Sequence, residues 1–470
     1  MIQGKTSVSK RSILKFALVA PLLFSGVEVN AANWLMLQGT QPDMVAPKGV
    51  KVPYRSKMPK VWGFIQANYK EDFGDVFVAP DGKNKTPFSY LNPNLEDQKG
   101  FNVFRARLAL RGMADSENLV NYFFMTEFGN SAVNNLAGHD VATYFTDASI
   151  TLKHIPGAKV RVGMFKTPGS EEGLQAVFVS PYIEFTTMTN HHLLERQVSD
   201  VGVAQTGKAA GGASTTHYTS TSVDKPIAAF RDSGVQIFDT FKLQDDWDVS
   251  YAYMYGNGTG VSHSSSNKQA THYGYLAAEK SFGKGKGYYT EAMKFFVWAQ
   301  DGKRSLDSYD GNVTYESIDA NRQRYGIGMT YYHNGIRFEA EYMKAKGMIF
   351  AGAKEVDTDP NPSVQDWQFQ FATGDENEAD GGYVNLQYEI IPKKFEVFGR
   401  YDYCDRLTND IKGERQFKTT TLGASYRYRG PTRIDLNYIM KDAEAPGNPN
   451  AQKVLDNMGN RIAVQITAAF

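Results

Sequence analysis

From Val61 to Phe470 apolar and polar residues alternate with a period of two, in segments of about ten residues. In the closing segment Ile462, Val464, Ile466, Ala468 and Phe470 share one parity, and Arg461, Ala463, Gln465 and Thr467 share the other. Successive side chains of a strand point to opposite faces, so the segment predicts a strand with one apolar and one polar face. The same pattern recurs between Arg433 and Met440, where Ile434, Leu436, Tyr438 and Met440 oppose Arg433, Asp435 and Asn437. Between Thr419 and Tyr428, Leu422, Ala424, Tyr426 and Tyr428 oppose Thr421, Ser425 and Arg427. Strands are predicted near 61–70, 101–114, 119–129, 141–153, 158–167, 231–241, 247–256, 272–283, 292–301, 321–332, 336–346, 382–391, 394–404, 418–428, 432–440 and 459–470, sixteen in all.

The connections separate a membrane barrel from a soluble sandwich. Short turns fall at 115–118, 154–157, 243–246, 284–291, 333–335, 392–393 and 430–431. Long connections lie between them at 71–100, 130–140, 168–230, 257–271, 302–320, 347–381, 405–417 and 441–458. Strict alternation of short and long connections is the asymmetry of an outer-membrane barrel, with short turns on the periplasmic side. A sandwich has no reason to keep its long loops at one end. The fold class is therefore all-β: a transmembrane antiparallel barrel of sixteen strands over residues 61–470. An even strand number returns both barrel ends to the periplasm. A charge at the bilayer midplane costs roughly 2–4 kcal/mol on the lipid face, so the polar parity is the wet one. A barrel of about sixteen strands with a polar interior encloses a water-filled channel.

Composition agrees. Lys+Arg and Asp+Glu are balanced at 51 each, so no nucleic-acid partner is indicated. The 27 Tyr and 29 Phe suit strands and the aromatic girdles of a barrel. With Cys404 the lone cysteine, an intramolecular disulfide and a multi-thiolate metal site are excluded. The N-terminus reads as a cleaved secretory signal over residues 1–31. Lys10, Arg11 and Lys15 precede an apolar core from Phe16 to Phe24, and Val29-Asn30-Ala31 supplies small residues before Ala32. Its removal takes away four basic residues (Lys5, Lys10, Arg11, Lys15) and one acidic (Glu28), leaving a mildly acidic mature chain. Residues 32–60, punctuated by Pro42, Pro47, Pro53 and Pro59, predict an extended periplasmic segment, or else a small plug.

The longest connection, 168–230, carries apolar groups that gain nothing in water, among them Val177, Phe178, Tyr182 and Phe185. Folding into the barrel as a constriction would bury them, with Glu195 and Arg196 following in the same stretch. The alternative is a surface loop packed against loops 71–100 and 347–381 or against a neighbouring subunit. Parity also places Arg105, Arg107, Arg111, Lys153, Lys159 and Arg161 inward in strands two to five, against Glu127 and Asp147. A ladder of cations favours anions in a narrow pore; paired Arg and Glu lining any wet barrel would look similar. In strands ten to sixteen, Arg322, Arg324, Arg337, Arg400, Arg427, Arg433 and Arg461 face Glu339, Glu341, Glu389, Glu396, Asp402 and Asp435, a nearly neutral wall.

Phe104-Arg-Ala-Arg-Leu-Ala-Leu-Arg-Gly112, Phe124-Met-Thr-Glu-Phe128, Thr146-Asp-Ala-Ser149, Val160-Arg-Val-Gly-Met-Phe-Lys166, Leu194-Glu-Arg196, Arg231-Asp-Ser-Gly-Val-Gln236, Tyr255-Gly-Asn-Gly258 and Gly399-Arg-Tyr-Asp402 occur in this order. With the closing Gln465 to Phe470, they make residues 61–470 resemble the phosphate-selective porin O/P family of Gram-negative outer membranes. A last strand ending in Phe is similar to the closing strand of outer-membrane barrels. The resemblance implies a homotrimeric sixteen-stranded porin embedded in outer-membrane lipid, an inward third loop, and anion passage along basic residues. It implies no cofactor and no catalysis. One departure weakens the phosphate reading. The family's second strand often begins with two adjacent arginines, and here Phe104 takes the first place.

Other chemistry is thin. His191-His192 reads as a solvated loop pair without a third metal ligand at a recognisable spacing. Cys404, beside Asp405, reads as an inert inward thiol. No nucleophile motif singles out a catalytic triad. Two further classes compete with a porin: an outer-membrane enzyme, and a scaffold barrel sheathing a partner protein. A sheath needs an open lumen, whereas a porin uses an inward loop.

Overall fold

The structure is a computed structural model. It describes residues 59–470 except 79–83, 86, 93–94, 116, 118, 131–143, 196–217, 220–229, 244–245, 262–269, 286, 310–314, 353–369 and 430–431. The export signal, nearly all of the 32–60 segment and Arg196 lie outside the described residues.

Sixteen long strands form the barrel: β1 (Lys60–Asp72), β2 (Lys99–Met113), β3 (Val120–Glu127), β4 (Tyr144–Leu152), β5 (Lys159–Lys166), β6 (Arg231–Lys242), β7 (Trp247–Gly256) and β8 (Thr271–Ser281). They continue with β9 (Ala292–Tyr309), β10 (Tyr315–His333), β11 (Ile336–Gly347), β12 (Glu378–Ile391), β13 (Phe395–Arg406), β14 (Arg415–Arg429), β15 (Thr432–Glu444) and β16 (Arg461–Ala469). Each pairs antiparallel with its neighbours, and β1 pairs with both β2 and β16, which closes the sheet and leaves no edge. No helix of the described residues is long and apolar enough to cross a membrane; a barrel crosses with strands.

The two faces follow the sequence pattern. On β16, Arg461, Gln465 and Thr467 are buried inward while Ile466 is 53% and Phe470 68% exposed on the outside. The Phe470 amide donates to the Gly63 carbonyl (3.0 Å) and receives the reverse bond (2.9 Å), so the final residue is stitched into the sheet. All sixteen predicted strands are present. One expectation fails: residues 302–320 are largely strand, because β9 runs on to Tyr309 and β10 begins at Tyr315. A ladder between sequence neighbours closes a short loop at little entropic cost, so it continues past the apolar belt.

At the long-loop end the first loop folds over the mouth. Phe88, Tyr90, Leu91 and Leu95 pack with Phe350, Phe417 and Ile439, and with Val454 and Leu455 of a helix over Pro449–Leu455. Asn448 caps that helix by accepting from the Ala451 amide (3.0 Å). Burial, with Asp72 beside it, raises the Asp97 carboxyl in this loop to about 6. A carboxyl that binds its proton more tightly folded than unfolded loses stability as pH rises between 3.8 and about 6. The first loop should therefore be better protected at pH 5 than at pH 7. Hydrogen exchange at Gly74, whose amide donates to Asp97 (2.9 Å), checks this after correction for intrinsic rates, and Asp97→Asn should flatten the profile.

Candidate permeation pathway

The third long loop leaves β5 at Thr167, whose amide donates to the Phe230 carbonyl (2.8 Å) and closes the loop's neck. It then crosses the lumen to the opposite wall. A single helical turn, α1 (Glu171–Leu174), docks on β9 and β11. There Ser170 donates to Glu341 (2.9 Å) and Gln175 to Glu339 (3.1 Å). The next stretch has carbonyls with no strand ladder to satisfy them, so inward side chains supply the donors. Gln66 donates to the Val177 carbonyl (3.3 Å), Arg433 to those of Val179 (2.7 Å) and Ser180, and Asn437 to that of Pro181 (3.1 Å). Phe178 lies against Trp62 and Phe64 of β1, with ring centroids 5.8 and 5.2 Å away. Tyr182 donates to the Gly399 carbonyl (2.8 Å) beneath the Arg400 guanidinium. The predicted apolar set is thus packed on the inside of the barrel.

Between residues 168 and 195 the loop holds four carboxylates and no Lys or Arg. All four reach cations of β9–β16 or β1. Glu171 pairs with Lys294 (2.5 Å), Glu172 with Arg400 (3.1 Å), and Glu184 with Lys70 (2.5 Å) and Arg461 (3.0 Å). Glu195 takes Arg304 (2.9 Å) and Arg322. Burial works against the Glu195 charge, but Arg304, Arg322 and Arg324 outweigh it and hold the carboxyl at about 2. Glu195 sits at φ 51, a left-handed conformation that costs a non-glycine residue about 1–2 kcal/mol; the two arginines offset it. The far wall is therefore neutralised partly by its own carboxylates, such as Glu396 with Arg427 (2.7 Å), and partly by the loop.

The near wall differs. Arg105, Arg107, Arg111, Lys159, Arg161, Lys166 and Arg231 lie on the inner face of β2–β6, against Glu127, Asp147, Asp232 and Asp239. Arg107 pairs with Glu127 (2.6 Å), Arg231 with Asp147 (3.0 Å), and Lys159 with Asp239. Arg105 donates to Gln66 (2.9 Å), and Arg161 donates to Thr151 (3.2 Å) beneath the Phe238 ring. Arg111 lies over Trp62 (5.8 Å). Lys153, just past β4, is half-buried near Lys159; burial first, and Lys159 second, lower its ammonium to about 8. Cations outnumber carboxylates on this face.

A model of one family, phosphate-selective porin O and P, matches residues 86–470. The chain belongs to this family. It is an outer-membrane porin, a channel rather than an enzyme. A comparison with curated proteins found no match. Among solved structures the porin is similar to OmpT of Vibrio cholerae in its trimer form, at 12% identity and TM-score 0.46, covering 88% of this chain and 99% of that one. It is also similar to the DcaP channel of Acinetobacter baumannii (12%, TM-score 0.45, covering 89% and 99%). Salmonella typhi OmpF in complex with daunomycin gives 13%, TM-score 0.46, and coverage of 90% and 100%.

Two features of the porin's interior were not expected from the sequence. The first is a β-bulge. Gln66 pairs with Arg105 and Ala67 with Val103, so Phe104 is the extra residue and turns inward beside Arg105. The second is Lys70 of β1, whose ammonium lies 3.8 Å from the Phe104 ring, while the Arg105 guanidinium lies 4.2 Å from it. The place of the family's first arginine is thus held by an aromatic ring contacted by two cations. Glycine serves the same wall at Gly163 (φ 120), which faces Gly234 across β5–β6 where a Cβ would collide with the Ala148 carbonyl. The expectation for His191-His192 is overturned: both are buried, because this part of the loop also runs inside the barrel and meets the first loop at the Tyr90 carbonyl.

Proposed function

We propose that this porin passes small solutes by diffusion with a weak preference for anions, along the space between the third loop and β2–β6. The observation that carries this is the pairing of all four carboxylates of residues 168–195 with cations of β1 and β9–β16. The loop thereby leaves the surplus of cations on β2–β6 facing the passage, where they stand in for part of an anion's hydration. Arg105, Arg107, Arg111, Lys153, Lys159 and Arg161 are the proposed anion path, and Val177, Phe178, Tyr182, Phe185 and Glu195 belong to the proposed constriction. A lumen crossed by residues 170–195 supports a porin over a sheath for a partner protein. The test is the reversal potential of purified protein in a potassium chloride gradient. A value of the anion-selective sign is expected, and a cation-selective sign would overturn the reading.

The same proposal includes export through cleavage after Ala31 and assembly as a homotrimer, both following from the sequence pattern and the family resemblance. N-terminal sequencing and crosslinking in native membranes check them. Phosphate is a weaker candidate than anions in general, because a phosphate site needs several converging donors and Phe104 supplies none. Phe104→Arg should introduce phosphate block of the chloride current at millimolar phosphate where the parent shows little. The current measured against phosphate concentration decides it.

A further inference from the structure

The third loop near residues 188–194 carries chemistry that permeation does not use. His191 and His192 project from a single π turn over Thr189–Leu193, closed by the Leu194 amide donating to the Thr189 carbonyl (2.7 Å). Such turns are frequent at functional sites. Cys404 of β13 lies opposite, and one ligand atom from each of the three residues falls within 4.8 Å of the others. His192 is fully buried, and neither of its ring nitrogens has a hydrogen-bond partner among the described residues. A buried imidazole left so is costly and requires an explanation. His191 Nε2 faces the Tyr90 carbonyl (3.3 Å), which can only accept. The proton therefore sits on Nε2 and the lone pair on Nδ1, an arrangement common in metal-bound histidine. The Met188 thioether lies 3.9 Å from the Cys404 sulfur, and Leu193, Leu194 and Ile349 close an apolar shell around them.

We propose that His191, His192 and Cys404, with Met188 beside the thiol, form a site for Cu(I). Thiolate and thioether select a soft ion. Charge selects a monovalent one: the Arg324 and Arg322 guanidinium groups donate to the His192 carbonyl (2.8 and 3.5 Å). On binding, the Cys404 S–H bond breaks, its proton leaves to solvent and an S–Cu bond forms. The two imidazoles bind as neutral lone-pair donors, so the centre is neutral overall. A divalent ion would leave a net positive charge against two arginines. Bonds of about 2.0–2.3 Å at trigonal angles separate ligand atoms by about 3.5–3.7 Å, so the three side chains close by roughly 1 Å. The bound ion would tie the loop to β13.

The test is anaerobic competition between the purified full chain and bicinchoninate for Cu(I). The parent should remove one equivalent of copper and release one proton. Cys404→Ser and His192→Gln should each weaken binding by more than about 100-fold, beyond the loss typical of a supporting partner, and Met188→Leu should weaken it less. His192→Gln lies on the loop, so it keeps the test available if the β13 variant fails to assemble. Copper retained by bicinchoninate, equal binding by parent and variants, or zinc displacing copper at equal concentration would each overturn the proposal.

Discussion

Deleting residues 170–190 is expected to raise single-channel conductance several-fold and to make the pore more anion-selective. The segment lies inside the barrel, and its backbone is held by Arg433, Asn437, Gln66 and Arg400. Removing it clears the lumen and takes away Glu171, Glu172 and Glu184, which pair with Lys294, Arg400, Lys70 and Arg461, although Arg461 keeps Asp72 (2.5 Å). Both effects have a defined sign. Water fills the space and lowers resistance, and the loss of three negative charges from the lumen raises the local anion concentration. Barrel closure does not depend on the segment, since β5 and β6 pair directly from Lys159–Phe238 to Lys166–Arg231. Planar-bilayer recording of a variant that still shows heat-modifiable migration on gels measures both effects. Unchanged conductance would place the loop outside the ion path.

The strands were legible because lipid and water impose opposite demands on alternate residues of one strand. That constraint is local, so Ile466 outward and Gln465 inward can be read from the chain alone. The inward course of the third loop was legible only as misplaced apolar groups, Val177 to Phe185. Its path was not, because the groups that hold it are remote in sequence: Lys294 lies 123 residues from Glu171, and Arg461 277 residues from Glu184. The same holds for the bulge at Phe104, which exists only in register with β1. Strict alternation counted back from Arg105 has no place for an extra inward residue at Phe104. The burial of His191 and His192 has a related cause: Cys404 and Tyr90 reach them through the barrel and not through any spacing. Local alternation revealed the container, and pairing across the lumen determined its contents.

Replacing Arg105 and Arg107 together by Gln is expected to shift selectivity toward cations. A cation about 7 Å from a passing anion contributes about 0.6 kcal/mol in a water-like dielectric. Losing two removes about 1.2 kcal/mol, a factor of about eight in anion preference at low ionic strength. The effect should shrink as salt rises, because screening acts within about 3 Å at 1 M. The two positions are not equivalent. Arg105 donates to neutral Gln66, whereas Arg107 is paired with Glu127, which would lose that partner. Adding Glu127→Gln to the double variant should therefore recover part of the anion preference. The far wall provides the control. Arg427 and Glu396 form a pair at 2.7 Å away from the loop's anchors, so replacing both by Gln removes no net charge and should leave selectivity unchanged. Arg433 is unsuitable for this purpose, since it holds the Val179 carbonyl and its loss would free the loop. Reversal potentials in potassium chloride gradients at two mean salt concentrations separate these outcomes. Equal shifts from the near-wall and far-wall variants, or none from either, would reduce the β2–β6 cations to ordinary lining of a non-selective pore.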